Sequence, residues 1–398
     1  MIPKAAILER ARVQGLQSTT VEKDYVLGWV LRAIAEDDML SRWVFKGGTC
    51  LKKCFFETYR FSEDLDFTVP IDESLSEVAI AAALDRISTW VEDRCGVTFP
   101  RERIKVEKYD NPRGNPSYQA RLTYVGPLRM ARRRLQKIKF DITQDEVIAS
   151  EPELREVQHP YRDQQDPPAR VRTYSLEEVL TEKSRALYER QGRARDVYDV
   201  VHLSRAFREN IDAVKARKCA ESKFAFKGID SPSVATILGR IDGDVVKANW
   251  DQQLGHQLPA LPSVDGFLDE LEDALRWWLE PAAARPTPTP LPAKAGETLV
   301  PRVFFPTYLS FGAGERNLET VRFAARNRLC VRIGYHDHER LVEPYSLRCP
   351  KTGNRLLYVH ERTKDGFPVE DLRAYKVAEI ESVTTTEIPF TPRWRVEL

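Results

Sequence analysis

The stretch FKGGTCLKKCFFETYRFSEDLDFTV, residues 45–69, sets two glycines and a hydroxyl ahead of a segment in which Asp64 and Asp66 alternate with Leu65 and Phe67. Side chains alternate across a β-strand, so both aspartates are expected on one face, with Leu65 and Phe67 turned toward a core. Two carboxylates that close raise each other's pKa unless a positive charge lies between them, and a divalent cation is the usual resolution. Oxygen ligands suit Mg²⁺, which keeps several waters and is commonly held by one or two carboxylates together with substrate phosphates. Upstream, Gly47 and Gly48 lack a Cβ, so the backbone there can take positive φ and present its N–H groups to an anion. A helix from Thr49 onward, with Leu51 and Phe55 four apart, would add free amides and the helix dipole. In this order the stretch is a phosphate cradle followed by a metal-binding strand, and it points to a nucleotide site.

The rest of the chain sets the frame. Its 398 residues suggest two or three domains. With 61 Lys+Arg against 60 Asp+Glu the net charge is +1, so overall balance identifies no partner. The chain has no run of eighteen apolar residues, and its start, MIPKAAILERARVQG, is charged too early for a signal peptide; a cytoplasmic protein without a membrane span is expected. The cysteines form no C-x-x-C pair, which argues against zinc, and Cys50 and Cys54 at helical spacing read as packing residues. A proline-rich segment, residues 280–298, has the composition of an extended spacer. It separates a helix-rich region, 1–279, from residues 299–398, where CVRIGY, RLLYVH and IESVTTTEI read as strands of a small β domain.

Phosphoryl transfer with metal ions calls for more ligands than one aspartate pair supplies. In QKIKFDIT, Ile138, Phe140 and Ile142 share one strand face while Lys137, Lys139 and Asp141 share the other, so Asp141 on a neighbouring strand is the candidate third carboxylate. The segment leading into it, RMARRRLQKIK, carries Arg129, Arg132, Arg133, Arg134, Lys137 and Lys139 without an acid. Such a strip fits phosphates of a nucleotide or of a nucleic-acid backbone, with a solvated face as the plain alternative. Ser175 followed by Glu178 is a capping box that should open a helix. Lys183 falls within that helix's apolar stripe, a costly place unless its ammonium reaches an anion; it is a candidate phosphate ligand, with snorkelling to solvent as the rival reading. In the next helix Asp196 and Asp199 lie three apart on one face, among Arg190, Arg193 and Arg195.

These residues resemble a known family. EKDYVLGWVL (22–31), KGGTCLKK (46–53), RFSEDLDF (60–67), IKFDIT (138–143), LTEKSRAL (180–187) and RARDVYDVVHL (193–203) match, in order, the motifs of the AbiEii/AbiGii toxin family of nucleotidyltransferases. The resemblance implies an α+β architecture: a DNA polymerase β-like nucleotidyltransferase fold, its sheet-bearing part about 1–165 and a helical half about 166–279. It implies nucleotide gripping by Gly47, Gly48 and Thr49, with Arg60 and Ser62 near the triphosphate. It further implies metal binding by Asp64 and Asp66, with Asp141 as third carboxylate, and catalytic roles for Lys183 and Asp196. Family members act as toxins of toxin–antitoxin or phage-defence modules, and some resemble enzymes that extend the tRNA 3′ end.

Residues 318–390 are similar to a WYL domain, an SH3-like β-barrel that often senses nucleotides or nucleic acid, although Leu357-Tyr358-Val359 replaces its signature tripeptide. Val342-Glu343-Pro344 and Arg373 stand where that family has comparable residues. The expectation is therefore a Mg²⁺-dependent transfer of NMP from an NTP to an acceptor hydroxyl, RNA such as tRNA above all, with a cognate antitoxin as partner and Arg132, Arg133, Arg134 and Lys137 as RNA contacts. Two alternatives stand beside it. One is a nucleotide- or nucleic-acid-binding regulator that senses through the terminal domain; the other is a nucleotidyltransferase acting on protein or a small molecule.

Overall fold

Phe45, Phe67 and Phe140 form an aromatic stack behind three adjacent strands, with ring centroids 5.2 Å apart for Phe45–Phe67 and 6.5 Å for Phe67–Phe140. Period-2 alternation puts these rings on the buried face and the aspartates on the other. The computed structural model describes residues 1–56, 59–110, 116–164, 166–292, 294, 296–300, 313–351 and 353–398.

The chain begins with helices α1 (Lys4–Gln14) and α2 (Ser18–Glu36), then strand β1 (Val44–Lys46), a helical turn α3 (Gly47–Cys50) that continues as a π-turn over Leu51–Phe55, and strand β2 (Asp64–Thr68). Helix α4 (Glu77–Cys95) follows, capped by the Ser76 hydroxyl and ended by Gly96 at φ +76°. Strands β3 (Lys105–Asp110), β4 (Pro116–Thr123), β5 (Lys137–Thr143), β6 (Glu153–Glu156) and β7 (Arg170–Thr173) complete a mixed sheet in the order β3-β4-β5-β2-β1-β7-β6. Strand β2 lies antiparallel to β1 and parallel to β5, pairing Lys46 with Asp66 and Asp66 with Asp141. Helix α2 is buried over nearly its whole surface, and its Asp24 is held by Lys53 of the π-turn at 2.7 Å.

The helical half comprises α5 (Leu176–Glu189), α6 (Ala194–Phe207), α7 (Ala213–Phe226), α8 (Val234–Leu238), α9 (Gly243–Leu254) and α10 (Val264–Leu279). Ser175 caps α5 as expected, its Oγ accepting from Glu178 N at 3.2 Å. Glu178 does not close the capping box: its carboxylate turns to the Ala149 and Ser150 amides and to Lys223.

The proline-rich segment is docked along the C-terminal region. Arg348 donates to the carbonyls of Leu291 and Pro292, and Leu291 is buried. Beyond it lie β8 (Thr298–Leu299), helix α11 (Ala313–Asn327) and strands β9 (Leu329–Tyr335), β10 (His338–Cys349), β11 (Leu356–Lys364), β12 (Phe367–Lys376) and β13 (Ile380–Pro389). Their order is β12-β11-β10-β9-β13, with β8 on β10. The outer strands β12 and β13 do not pair, so among the described residues the expected SH3-like barrel is not closed and the region is an open antiparallel sheet with a helix against it. The two regions share one continuous core: Tyr198 of α6 donates to Asn327 Oδ1 of α11 at 3.0 Å, and Arg205 donates to the Arg326 carbonyl. No helix among the described residues is long and apolar enough to cross a membrane.

Candidate active site

The turn between β1 and α3 is built against Asp66. Gly47 sits at φ +80°, and a Cβ there would lie 2.0 Å from Asp66 Oδ2. At Gly48 a Cβ would meet Arg60 Nη2 at 2.7 Å and Ser62 Oγ at 2.9 Å, so the diglycine is required by space as well as by conformation. Thr49 is fully buried and its hydroxyl donates to the Asp64 carbonyl at 2.5 Å, tying the helical turn to β2.

Asp64 and Asp66 project from one face of β2, as the alternation requires, and Asp141 stands opposite Asp66 on β5. Their surroundings differ. The Asp141 carboxylate accepts from Lys139 Nζ at 3.0 Å and from Gln119 Nε2 at 3.2 Å. Among the described residues the Asp64 and Asp66 carboxylates have neither a hydrogen bond nor an ion pair. Burial, then the Asp141 charge, pushes Asp66 up to about 6 against the opposing pull of Lys46 and Lys183. Asp64 is also raised, chiefly by burial, with Lys139 and Lys23 opposing. A pair of half-buried acids in no ion pair, with raised pKa, is the donor set that a hard divalent cation fits. No three such side chains gather closely enough to share an ion among the described residues, and the Asp141 carboxylate is paired with Lys139.

Across from the acids, α5 and α6 contribute a cluster centred on Asp199. Arg60 Nε and Nη2 donate to its two oxygens at 2.7 Å each, Lys183 Nζ lies 2.8 Å from Oδ2, and the Tyr59 hydroxyl donates to Oδ1 at 2.5 Å. Burial alone would raise Asp199, but Arg60 and Lys183 outweigh it and hold its carboxyl well below the usual range. Asp196, also buried, faces Lys183 at 3.8 Å and Arg190 at 3.4 Å.

The expected residues therefore fall into two groups. Gly47, Gly48, Thr49, Asp64, Asp66 and Asp141 come together around the turn and β2. Arg60, expected beside the triphosphate, is instead buried under Gly48 and spent on Asp199 and Gln257, because an unpaired carboxylate at that depth would be prohibitive. Lys183, expected as a free phosphate ligand, is shared between Asp199 and Asp196; its charge still reaches Asp66. Ser62 lies against Gly48. In the basic strip, Arg132 pairs with Glu102 at 2.7 Å, whereas Arg133, Arg134 and Lys137 are exposed and have no carboxylate partner among the described residues.

Two contributors were not singled out from sequence. Lys46 pairs across the hairpin with Asp66 and reaches Glu182 on α5 at 3.5 Å; its place directly before the diglycine was the available signal. Lys23, buried on α2, pairs with Glu63 at 2.6 Å and lowers the Asp64 pKa, a relationship that no local pattern announces.

Residues 29–280 match the family described as nucleotidyl transferase AbiEii toxin, type IV toxin–antitoxin system. No curated protein matches the chain. Among solved structures it is similar to MenT4, nucleotidyltransferase toxin Rv2826c from Mycobacterium tuberculosis H37Rv, at 22% identity and a TM-score of 0.38, over 55% of this chain and 69% of that chain. The family match covers more than half of the chain, from α2 to the end of α10, and takes in the diglycine turn, both unpartnered aspartates and the Asp199 cluster: the chain belongs to the AbiEii family of nucleotidyltransferase toxins.

Proposed function

We propose that the chain transfers a nucleoside monophosphate from an NTP to an acceptor hydroxyl on RNA, tRNA above all, in a Mg²⁺-dependent reaction that releases pyrophosphate. The observation that carries this reading is the unpartnered pair Asp64 and Asp66, packed against the Gly47–Gly48 turn. Asp64 and Asp66 would hold the metal, and Asp141 would join them once Lys139 is drawn off to substrate phosphate. When bound, the ion would supply charge neutralisation of the triphosphate and acidify the attacking hydroxyl. The protein's own share is positional. The diglycine lets backbone amides approach the phosphates, Thr49 fixes the turn to β2, and buried Asp199 holds Lys183, whose charge acts on Asp66.

Arg133, Arg134 and Lys137 lead from the surface toward Lys139 and Asp141 along one face of β5, a path for a polyanionic acceptor. As a member of a type IV toxin–antitoxin family, the chain would act as the toxin of such a module, opposed by a cognate antitoxin. The C-terminal sheet would serve as a WYL-like sensing module; there Leu357, Tyr358 and Val359 are buried in β11, while Arg373 is half-exposed beside Asp371 and Glu361. Incubation of purified protein with each labelled NTP and total tRNA, with and without EDTA, tests the proposal. Label should enter RNA only with free Mg²⁺ and should be lost in Asp66→Ala. Absence of transfer with every NTP would overturn it.

A further inference from the structure

A cavity of about 280 Å³ opens where the end of α1 and the π-turn face α11 and β13 of the C-terminal region. Asp64, Asp66, Asp141 and Lys183 are not part of its wall. The charged group that enters it from the catalytic side is Lys52. Its ammonium lies 4.7 Å from the centre of the Phe61 ring and has neither a hydrogen bond nor an ion pair among the described residues. Burial lowers its pKa, and the Asp24 charge only partly offsets this. A lysine in that position is stabilised by an anion.

The remaining wall has a different chemistry at each end. Tyr59, Phe61 and Phe323 give an aromatic flank suited to a flat ring. Beyond them Gln14 Oε1 is buried without a donor, while its amide nitrogen is spent on Glu319 at 3.1 Å. Val383, Thr384 and Thr385 of β13 close the opposite side. Arg12 and the Glu319 carboxylate also line the wall, so the cavity suits a ligand with an anionic group at Lys52, a flat ring in the middle and a hydrogen-bond donor turned to the Glu319 and Gln14 side. Cavities between structural units are common places for such ligands.

We infer that this cavity binds a small phosphate-bearing molecule of nucleoside-monophosphate size, its phosphate on Lys52 and its ring among Tyr59, Phe61 and Phe323, at a site separate from the Asp64–Asp66 centre. Its wall is joined to that centre twice. Lys52 follows the Gly47-Gly48-Thr49 turn by three residues in one helical segment, and the Tyr59 hydroxyl holds Asp199. An occupant would therefore touch Lys52, three residues beyond the turn, and Tyr59, whose hydroxyl holds Asp199.

The test is titration of the full-length protein, in EDTA, with the four 5′-mononucleotides and with inorganic phosphate, followed by calorimetry. At least one mononucleotide should bind saturably, and Lys52→Met and Val13→Trp should each weaken it by about tenfold or more. Asp66→Asn should leave that affinity unchanged. Val13→Trp adds bulk to the cavity wall from an exposed helix position, so it carries the test even if Lys52→Met does not fold. The inference is overturned if none of the four binds, if affinity survives both substitutions, or if it falls in Asp66→Asn instead. Phosphate binding alone, insensitive to Val13→Trp, would show an adventitious ion only and would overturn it equally.

Discussion

Arg60 and Asp199 form a two-pronged ion pair, both contacts at 2.7 Å, in which the arginine is 3% exposed and the aspartate 0%. One partner comes from the loop before β2 and the other from α6, so the pair fastens the catalytic strand to the helical half. A buried pair need not add net stability over an apolar substitute, but removing one partner strands the other. Arg60→Met leaves Asp199 with Lys183 and Tyr59 alone and is expected to cost about 3–5 kcal/mol in chemical denaturation. A variant within about 1 kcal/mol of the parent would show that Lys183 suffices.

The same carboxylate sets an acid limit. Asp199 has a folded pKa below its unfolded value of about 3.9, so the folded state holds its proton less tightly. Its contribution to stability is fully present above that unfolded value and is lost as pH falls toward the folded one. Unfolding midpoints measured from pH 7 downward should carry a loss below pH of about 4 that disappears in an Arg60→Met, Asp199→Asn double variant. If the double variant retains the full acid sensitivity, other carboxylates are responsible.

Asp66 behaves in the opposite sense. Its folded pKa of about 6 lies above the unfolded value, so its contribution is fully present below pH of about 4 and is lost as pH rises through 6. Asp66→Asn removes that penalty: the variant should be more stable than the parent by about 1–3 kcal/mol at pH 8, with little difference at pH 4. Its nucleotidyl transfer should be abolished. Equal stabilities at pH 8 would mean that the carboxylate is more solvated than its surroundings indicate. In the parent, Mg²⁺ should restore stability at pH 8, because a bound cation does what the proton does at pH 5.

How far the sequence discloses this site depends on how local each interaction is. The β2 alternation, the diglycine turn, the Ser175 cap and the place of Asp141 on a neighbouring strand rest on period-2 patterning and short-range chemistry, and all appear in the structure. The partners of Arg60 and Lys183 were not legible, since Arg60 depends on chain laid against the loop before β2 from 139 and 197 residues away and Lys183 on how α5 packs against α6. A charged residue in an apolar stripe signals a partner without saying whether it is a ligand or an acid from another helix. The proline-rich segment likewise read as a free spacer, because docking through backbone carbonyls to Arg348 leaves no mark on its composition.

Gly47→Ala is a direct probe of the turn. The substitution meets two obstacles: a φ of +80°, and an Asp66 oxygen 2.0 Å from the new Cβ. Either the turn or the carboxylate must move, and each movement spoils the cradle. The expected result is loss of transfer by about a hundredfold or more, as small displacements of reacting groups produce, with the protein still folded by circular dichroism. Retention of parental kcat would show that the backbone at this position does not approach the substrate.

The basic turn before β5 offers a test of the acceptor that does not depend on catalysis. Arg132 is neutralised by Glu102, so the charges left for a polyanion are Arg133, Arg134 and Lys137. Each phosphate contact to a single strand contributes about 0.7 to the slope of log K against log salt. Arg133→Ala, Arg134→Ala and Lys137→Ala combined should therefore flatten the slope for RNA binding by about 2, and weaken binding more at low salt than at high. Arg132→Ala alone should change the slope little, since it exposes Glu102 as it removes its own charge. The comparison separates a phosphate-tracking surface from a solvated one: three exposed cations that never meet RNA would leave both slope and affinity where they were, and the acceptor would then reach Asp64 and Asp66 along another face of the sheet.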